Sequence, residues 1–387
     1  MECIKADTLY TGRSVLENVY LAFDQERIAA VSEHRNGDLV GEYRVVTPAL
    51  IDPHSHIGMV RAGEPESESE ANDHLDSLMV MADALDSLQM DDPALQDAVE
   101  MGVLYSCIVP GSGNILGGRS AVIRNYGKDS SQALICRAGL KAALGYNPMS
   151  TSSWEGTRAT TRMGSLAILR KKLEEVRRKE QRFLEADGDK KDEITFSAEE
   201  DTVRELLSGR LTLRVHVHKT DDIAALLRLV DEFGIRVTVE HAMGVHSPGI
   251  FQELKNRDIP VTYGPLDAFA YKVELKHESW RNIAHLLDSG VEFGLMSDHP
   301  VTPARQILLQ TRWFLRLGMT RQQAVELVTR RNSQLVGLDQ WAGTLEESKW
   351  ASFVCWSHDP FDLSAHPLAV YGEGRLLHAE GDRGQRT

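Results

Sequence analysis

The sequence predicts an α/β protein: a parallel barrel of alternating strands and helices, flanked by a small β domain assembled from both ends of the chain. Three observations carry this. The middle of the chain alternates strand-like runs with helical periodicity, both ends are strand-rich, and several middle strands finish on histidine or aspartate. At 387 residues the chain exceeds one ordinary domain, and a barrel of about 250 residues plus an accessory unit accommodates it. The boundaries expected are 1–48 with 343–387 for the β domain, and 49–342 for the barrel.

Residues 1–48 hold short strands between polar turns, clearest in Val19-Tyr20-Leu21-Ala22-Phe23 and Ile28-Ala29-Ala30-Val31. The barrel opens at Thr47 to His56, an apolar run ending on two histidines two residues apart. On a strand these imidazoles face the same way and can share one cation. The acidic loop Gly63 to Glu70 fits either a mobile lid after the first histidine strand or a solvated insertion. Met101 to Pro110 is the next strand, and the Gly-rich loop Pro110 to Gly118 follows it. That loop lacks the Lys-Ser/Thr of a phosphate cradle and the spacing of a dinucleotide fingerprint. It fits a tight active-site loop, with Asn114 as a substrate contact, or a packed turn whose glycines permit positive φ.

Ala138 to Gly145 is a further strand, and Leu166 to Leu184 is a charged, solvated helix laced by i,i+4 pairs. Leu211 to His218 alternates and yields a second His-x-His. Ile235 to His241 is a β-branched run ending on histidine, and Val291 to His299 ends on Asp298-His299. Helical periodicity covers Asp222 to Phe233, His277 to Asp288 and Thr302 to Leu317, while Thr320 to Val328 starts with a threonine cap. Trp350 to Trp356 and Leu368 to Tyr371 return to the strand texture of the N-terminus. Four middle strands thus deliver ligand-type residues at one end.

Composition narrows the function classes. Apolar residues at 42% and charged residues at 26% fit a soluble globular protein with a full core. A net charge of −14 argues against a nucleic-acid surface, which needs concentrated Lys and Arg. Cys3, Cys107, Cys136 and Cys355 form no Cys-x-x-Cys, so neither a disulfide framework nor a thiolate zinc site is indicated. No signal-peptide pattern and no run of ~20 apolar residues is present. We expect a cytoplasmic protein with no nucleic-acid or membrane partner, acting on a small-molecule substrate, as a homo-oligomer.

Taken together, Ile51-Asp52-Pro53-His54-Ser55-His56, Pro110 to Gly118, Gly139-Leu140-Lys141, Thr161-Arg162-Met163-Gly164, His216 to Ile223, Val239-Glu240-His241 and Ser297-Asp298-His299-Pro300 resemble the amidohydrolase superfamily. The resemblance is nearest to its imidazolonepropionase-like branch and covers nearly the whole chain. It implies a distorted (β/α)8 TIM-like barrel, a composite β-sandwich from both termini, and a divalent-metal site at the C-terminal mouth. The implied ligands are His54, His56, His216, His241 and Asp298. His216 is chosen over His218 for its spacing from Ile223, and His218 is placed beside the substrate. Lys141, carboxylated, is implied as a bridge between two metals; unmodified it has donors only and could not serve. Relatives read Gly-Glu-Asn-Pro where this chain has Gly145-Tyr146-Asn147-Pro148, so Tyr146 marks a changed substrate pocket. Arg162, and less specifically Arg119 and Arg158, are candidates to hold a substrate carboxylate.

Imidazoles and carboxylates suit zinc first, and also iron, manganese or nickel, with one or two ions per chain. Lowering the pKa of a bound water to about 7 makes hydroxide available at neutral pH. Asp298 is the expected general acid/base, taking that proton and passing it to a departing nitrogen. The expected activity is hydrolysis of an amide-like C–N bond other than an ordinary peptide bond, in a lactam, an imidazolone-type ring or an N-acyl compound. The alternatives are a mononuclear aminohydrolase that deaminates a heterocycle without Lys141 as ligand, and a non-catalytic barrel.

Overall fold

The structure, a computed structural model, describes residues 1–149, 158–269 and 272–381. Residues 382–387, within the expected C-terminal part of the β domain, lie outside the described residues. Two sheets organise the rest. The first joins β1 (Glu2–Tyr10), β2 (Val15–Asp24), β3 (Arg27–Ser32) and β4 (Asp38–Pro48) to strands from the far end of the chain. The second, of eight strands, runs through β5 (Leu50–Ser55), β6 (Val103–Ile108), β7 (Leu116–Arg124), β8 (Leu134–Ala143), β9 (Leu213–Val217), β10 (Val237–His241), β11 (Val261–Tyr263) and β12 (Phe293–Leu295). The C-terminal strands are β13 (Phe353–Trp356), β14 (Pro367–Gly372) and β15 (Arg375–Ala379).

In the first sheet the order is β15-β14-β13-β4-β1-β2-β3. β13 lies antiparallel on β4, pairing Val354 with Thr47, so the end of the chain is stitched to its beginning. The sheet has its own apolar cluster, in which the Phe23 ring meets Phe353 edge-on at 5.4 Å and Phe353 stacks on Tyr371 at 4.6 Å. Such pairs add about 0.5–1.5 kcal/mol beyond the area they bury. Along β4 the burial alternates from Asp38 to Arg44 and becomes continuous from Val45, where the strand leaves solvent and feeds β5.

The barrel is not uniformly parallel as expected. β7 runs antiparallel to both β6 and β8, and the other neighbours pair in parallel. The reason is connection length: a parallel return needs a crossover of a dozen or more residues, and only the short Gly-rich loop separates β6 from β7. The barrel's first and last strands meet without a continuous ladder. At the mouth His56 N–H donates to His299 O (3.0 Å) and Asp298 N–H to His54 O (3.1 Å). Below them side chains span the gap: Asp52 takes the Ser297 N–H (3.1 Å) and hydroxyl, while the Asn332 amide donates to Ile51 O (2.7 Å) and Leu295 O (2.8 Å).

The helices pack where the periodicity predicts, with shorter pieces near the C-terminal part of the barrel. Thr220–Phe233 buries Ile223, Leu226 and Leu229 and stops at Gly234, whose φ of 68° suits glycine. The charged helix spans Arg162–Glu185 and buries only the stripe Ser165, Leu169, Leu173 and Val176. Thr320 forms a capping box with Gln323. The run expected over Thr302 to Leu317 divides into the turns Ala304–Gln306, Ile307–Gln310 and Arg312–Arg316, and the one over His277 to Asp288 narrows to Ile283–Ser289 behind the turn Trp280–Asn282. No helix among the described residues is long and apolar enough to cross a membrane. Barrel interiors are usually filled by branched apolar side chains; here Arg214 and Lys141 are among the largest fully buried ones.

Candidate active site

The strand ends gather six candidate side chains at the C-terminal mouth, where barrel enzymes place their chemistry. His54 is the second-last residue of β5 and His56 follows the strand; His216 and His218 come from the end of β9, His241 from the last position of β10, and Asp298 from just beyond β12. Carbonyls accept and never donate, so the His56 Nδ1 at 2.7 Å from Val109 O and the His241 Nδ1 at 2.9 Å from Gly264 O must carry hydrogens. The His54 Nδ1 faces the Glu240 carboxylate at 2.8 Å and is fixed the same way. With the hydrogen on Nδ1, the neutral form of such a ring carries its lone pair on Nε2. The Nε2 atoms of His54 and His56 approach one oxygen of Asp298 at 3.5 and 3.3 Å.

Both ring nitrogens of His216 and of His218, and Nε2 of His54 and His241, are buried with no hydrogen-bond partner among the described residues. Leaving a buried polar group unmet costs about 1–3 kcal/mol each, so this cluster has the donor chemistry of a cation site. Two triplets have ligand atoms within 4.8 Å of one another: His216 with His218 and His241, and His54 with His241 and Asp298. His241 belongs to both. His218, expected only beside the substrate, stands in the same donor set as His216.

Burial, helped by the Lys141 charge, pushes His54 down to about 4, and burial with the Lys272 charge pushes His218 to about 3. Burial and the neighbouring rings hold His216 and His241 well below the ordinary histidine range. Burial alone would raise Asp298, but the surrounding imidazoles outweigh it and keep the carboxyl ionised. His54, His216, His218 and His241 are therefore neutral imidazoles beside one carboxylate.

Behind these side chains lies a support that the sequence reading missed. Glu240, fully buried on β10, accepts from His54 Nδ1, from the Thr238 hydroxyl (2.5 Å) and from Arg214 (3.2 Å). Burial opposes its ionisation, yet the Arg214 charge and the His54 bond bring it down to about 2. Arg214 also donates to Pro53 O at 2.7 Å, next to His54 in the chain. His241, Ala242 and Asp298 adopt positive φ (81°, 55° and 51°), a backbone state costing roughly 1–3 kcal/mol per residue that persists where surrounding contacts over-determine it.

The remaining candidates fall differently. Lys141 is fully buried, and its Nζ donates to Pro110 O (3.0 Å) and Ser112 Oγ (3.3 Å); burial lowers it to about 8. Asn114 is also buried, and its amide donates to Asp73 O (2.9 Å) and Asp76 O (2.6 Å), holding the Gly-rich loop rather than presenting that amide to a ligand. Gly118 is required in that region: at φ 116° an added Cβ would lie 2.4 Å from Ala82 O. Arg162 pairs with Asp222 at 2.8 Å and lies 3.6 Å from Glu274, so two carboxylates already oppose its charge. Tyr146 is exposed, and its backbone N–H donates to Glu274 at 2.5 Å. Arg119 reaches the Thr202 hydroxyl at 2.9 Å.

Comparison with known proteins agrees with this geometry. The profile described as Amidohydrolase family matches residues 45–375. The chain is 26% identical over 357 residues to Amidohydrolase tasK of Hapsidospora irregularis, covering 86% of this chain and 36% of that protein; it thus spans about a third of that relative's length. It is 34% identical over 87 residues to the imidazolonepropionase of Acinetobacter baumannii, covering 21% of each. Among solved structures, an amidohydrolase from Thermotoga maritima MSB8 superposes with a TM-score of 0.91 at 28% identity, covering 98% of this chain and 100% of that one.

Proposed function

Because this chain belongs to the amidohydrolase family, we propose that it hydrolyses an amide-like C–N bond of a small molecule: a lactam, an imidazolone-type ring or an N-acyl compound. The observation that carries this is the convergence of the His54 and His56 Nε2 atoms on one Asp298 oxygen, beside histidines with no other partner. The ligands would be His54, His56, His216, His241 and Asp298, a donor set that fits zinc. A divalent ion bound there supplies Lewis acidity and makes water acidic near neutral pH.

The protein's own groups then account for the protons. Asp298, ionised at neutral pH, accepts a proton from the attacking water and returns it to the nitrogen as the C–N bond breaks, leaving a carboxylic acid and an amine. Glu240 keeps His54 in one tautomer and one orientation. His218 adds a ring that can contact the substrate or join the ligands. Lys141, lowered to about 8 by burial, is partly free amine at neutral pH, the form able to add carbon dioxide and become an oxygen donor. The protein would act as a cytoplasmic homo-oligomer.

One observation favours a second reading, deamination of a heterocycle at a single metal. The Lys141 ammonium has acceptors of its own in Pro110 O and Ser112 Oγ and needs no carboxylation. Metal analysis followed by a panel of lactams, N-acyl amino acids, dipeptides and aminated heterocycles tests both. Two metals with turnover of amides supports the first; one metal with release of ammonia only from heterocycles replaces it with the second. Metal-replete protein inert toward the whole panel refutes both.

A further inference from the structure

At the opposite end of the barrel from the histidines, the N-terminal ends of β8 to β12 surround a cavity of about 1160 Å3. Its wall carries seven arginines and only two acids, Asp258 and Glu292, in a chain whose net charge is −14. Several rim arginines hold acids that are not part of the wall: Arg137 pairs with Asp83, Arg257 with Asp231, and Arg330 with Glu326. Arg210 and Arg236 have no acidic partner among the described residues; Arg236 reaches only Gly209 O, at 3.5 Å.

Arg214 at the cavity floor differs from all of these. It is 1% exposed, and its Nε is buried with no hydrogen-bond partner. The other two guanidinium nitrogens are engaged with Leu335 O (3.4 Å), Pro53 O (2.7 Å) and Glu240 (3.2 Å). A buried N–H left unmet costs about 1–3 kcal/mol, and a guanidinium edge matches an oxyanion well. Apolar residues on the same wall, among them Leu211, Val237, Ile259 and Phe293, offer a surface for carbon.

We propose that this cavity is a second ligand site, for a small organic oxyanion of the phosphate-ester type whose charge meets Arg214, Arg210 and Arg236. Arg214 and Thr238 both line the cavity and both bond Glu240, the carboxylate that holds His54. Occupancy of the floor is therefore felt at the histidine cluster. The coupling rests on the reading of those histidines as metal ligands; the binding does not.

Phenyl phosphate titrated calorimetrically into the full chain, metal-replete and chelator-treated, tests the site. Saturable binding is expected in both forms, and it should weaken by about tenfold or more in Arg210→Ala/Arg236→Ala with an unchanged melting temperature. An Arg178→Ala control on the charged helix should bind like wild type. No saturable heat at millimolar ligand, equal affinity in the double variant, or binding confined to the metal-replete form would overturn the site. For the coupling, the rate at which a chelator strips metal should change when phenyl phosphate is bound; an unchanged rate overturns it.

Discussion

Replacing Glu240 by glutamine removes one charge while leaving volume almost unchanged. In the native protein the carboxylate accepts from His54 Nδ1 at 2.8 Å, from the Thr238 hydroxyl at 2.5 Å and from Arg214 at 3.2 Å, with Glu240 and Arg214, the two charged groups, both buried. Neutralising one member of a buried pair strands the other, which costs about 3–5 kcal/mol. The carboxyl's own acidity gives a similar figure. Held at about 2 instead of the ordinary 4.5, it corresponds to about 3 kcal/mol at 1.36 kcal/mol per pH unit. Because the folded value is depressed, this stabilisation is fully present above pH 4.5 and is lost as pH falls through about 2. Glutamine removes it at every pH. His54 also loses the acceptor that fixes its tautomer, so zinc affinity should fall about 10–100-fold. Urea unfolding and zinc competition against a chromophoric chelator, at neutral pH and along an acid series, provide the readout. The stability gap between wild type and variant should be constant at neutral pH and narrow below pH 4.5. A variant as stable as wild type, binding zinc equally well, would refute Glu240 as an ionised support.

Three other outcomes follow from the site. His54→Ala, His56→Ala, His216→Ala and His241→Ala should each lose metal measured by mass spectrometry, whereas His246→Ala, His277→Ala and His285→Ala keep it; equal content in both groups would dissolve the assignment. Asp298→Asn should fold and retain much of its metal but lose turnover by about 10²–10⁴-fold, and near-normal turnover would move proton transfer to another residue. Lys141→Ala should drop from two metals to one, and wild-type activity should depend on bicarbonate during reconstitution; one metal in both proteins and no bicarbonate effect would exclude the bridge.

Much of the site was legible because a strand's two-residue period ties His54 to His56 and His216 to His218, and because barrel strands finish at one end. The support behind it was not. Val237 to His241 are all buried, so β10 has no solvent face from which alternation could tell the direction of Glu240. The available signal was charge inside apolar strands, in Leu213-Arg214-Val215 and Val239-Glu240-His241. The roles expected for Asn114 and Arg162 came from motif context, while their partners lie in segments distant in sequence, Asp73 and Asp76 for one, Asp222 and Glu274 for the other. The reversed β7 could have been read from the shortness of the loop before it. His218 shows the limit of spacing: the distance to Ile223 favours His216, but strand alternation delivers both rings, and only the packed barrel shows them side by side, with centroids 4.7 Å apart.

The seam between β5 and β12 dictates an order of events in the life of the chain. Asp52 and Ser297, which close it, are 245 residues apart, and Asn332 lies farther along still. Bringing ends so far apart together carries a loop-closure cost of about 5 kcal/mol before any contact is rewarded. A ribosome releases His54 and His56 early, when their strand is an open sheet edge with no Asp298 opposite. Two imidazoles on a growing chain are a poor trap for a cation, so the donor set of a cation site is complete only after the last barrel strand has docked.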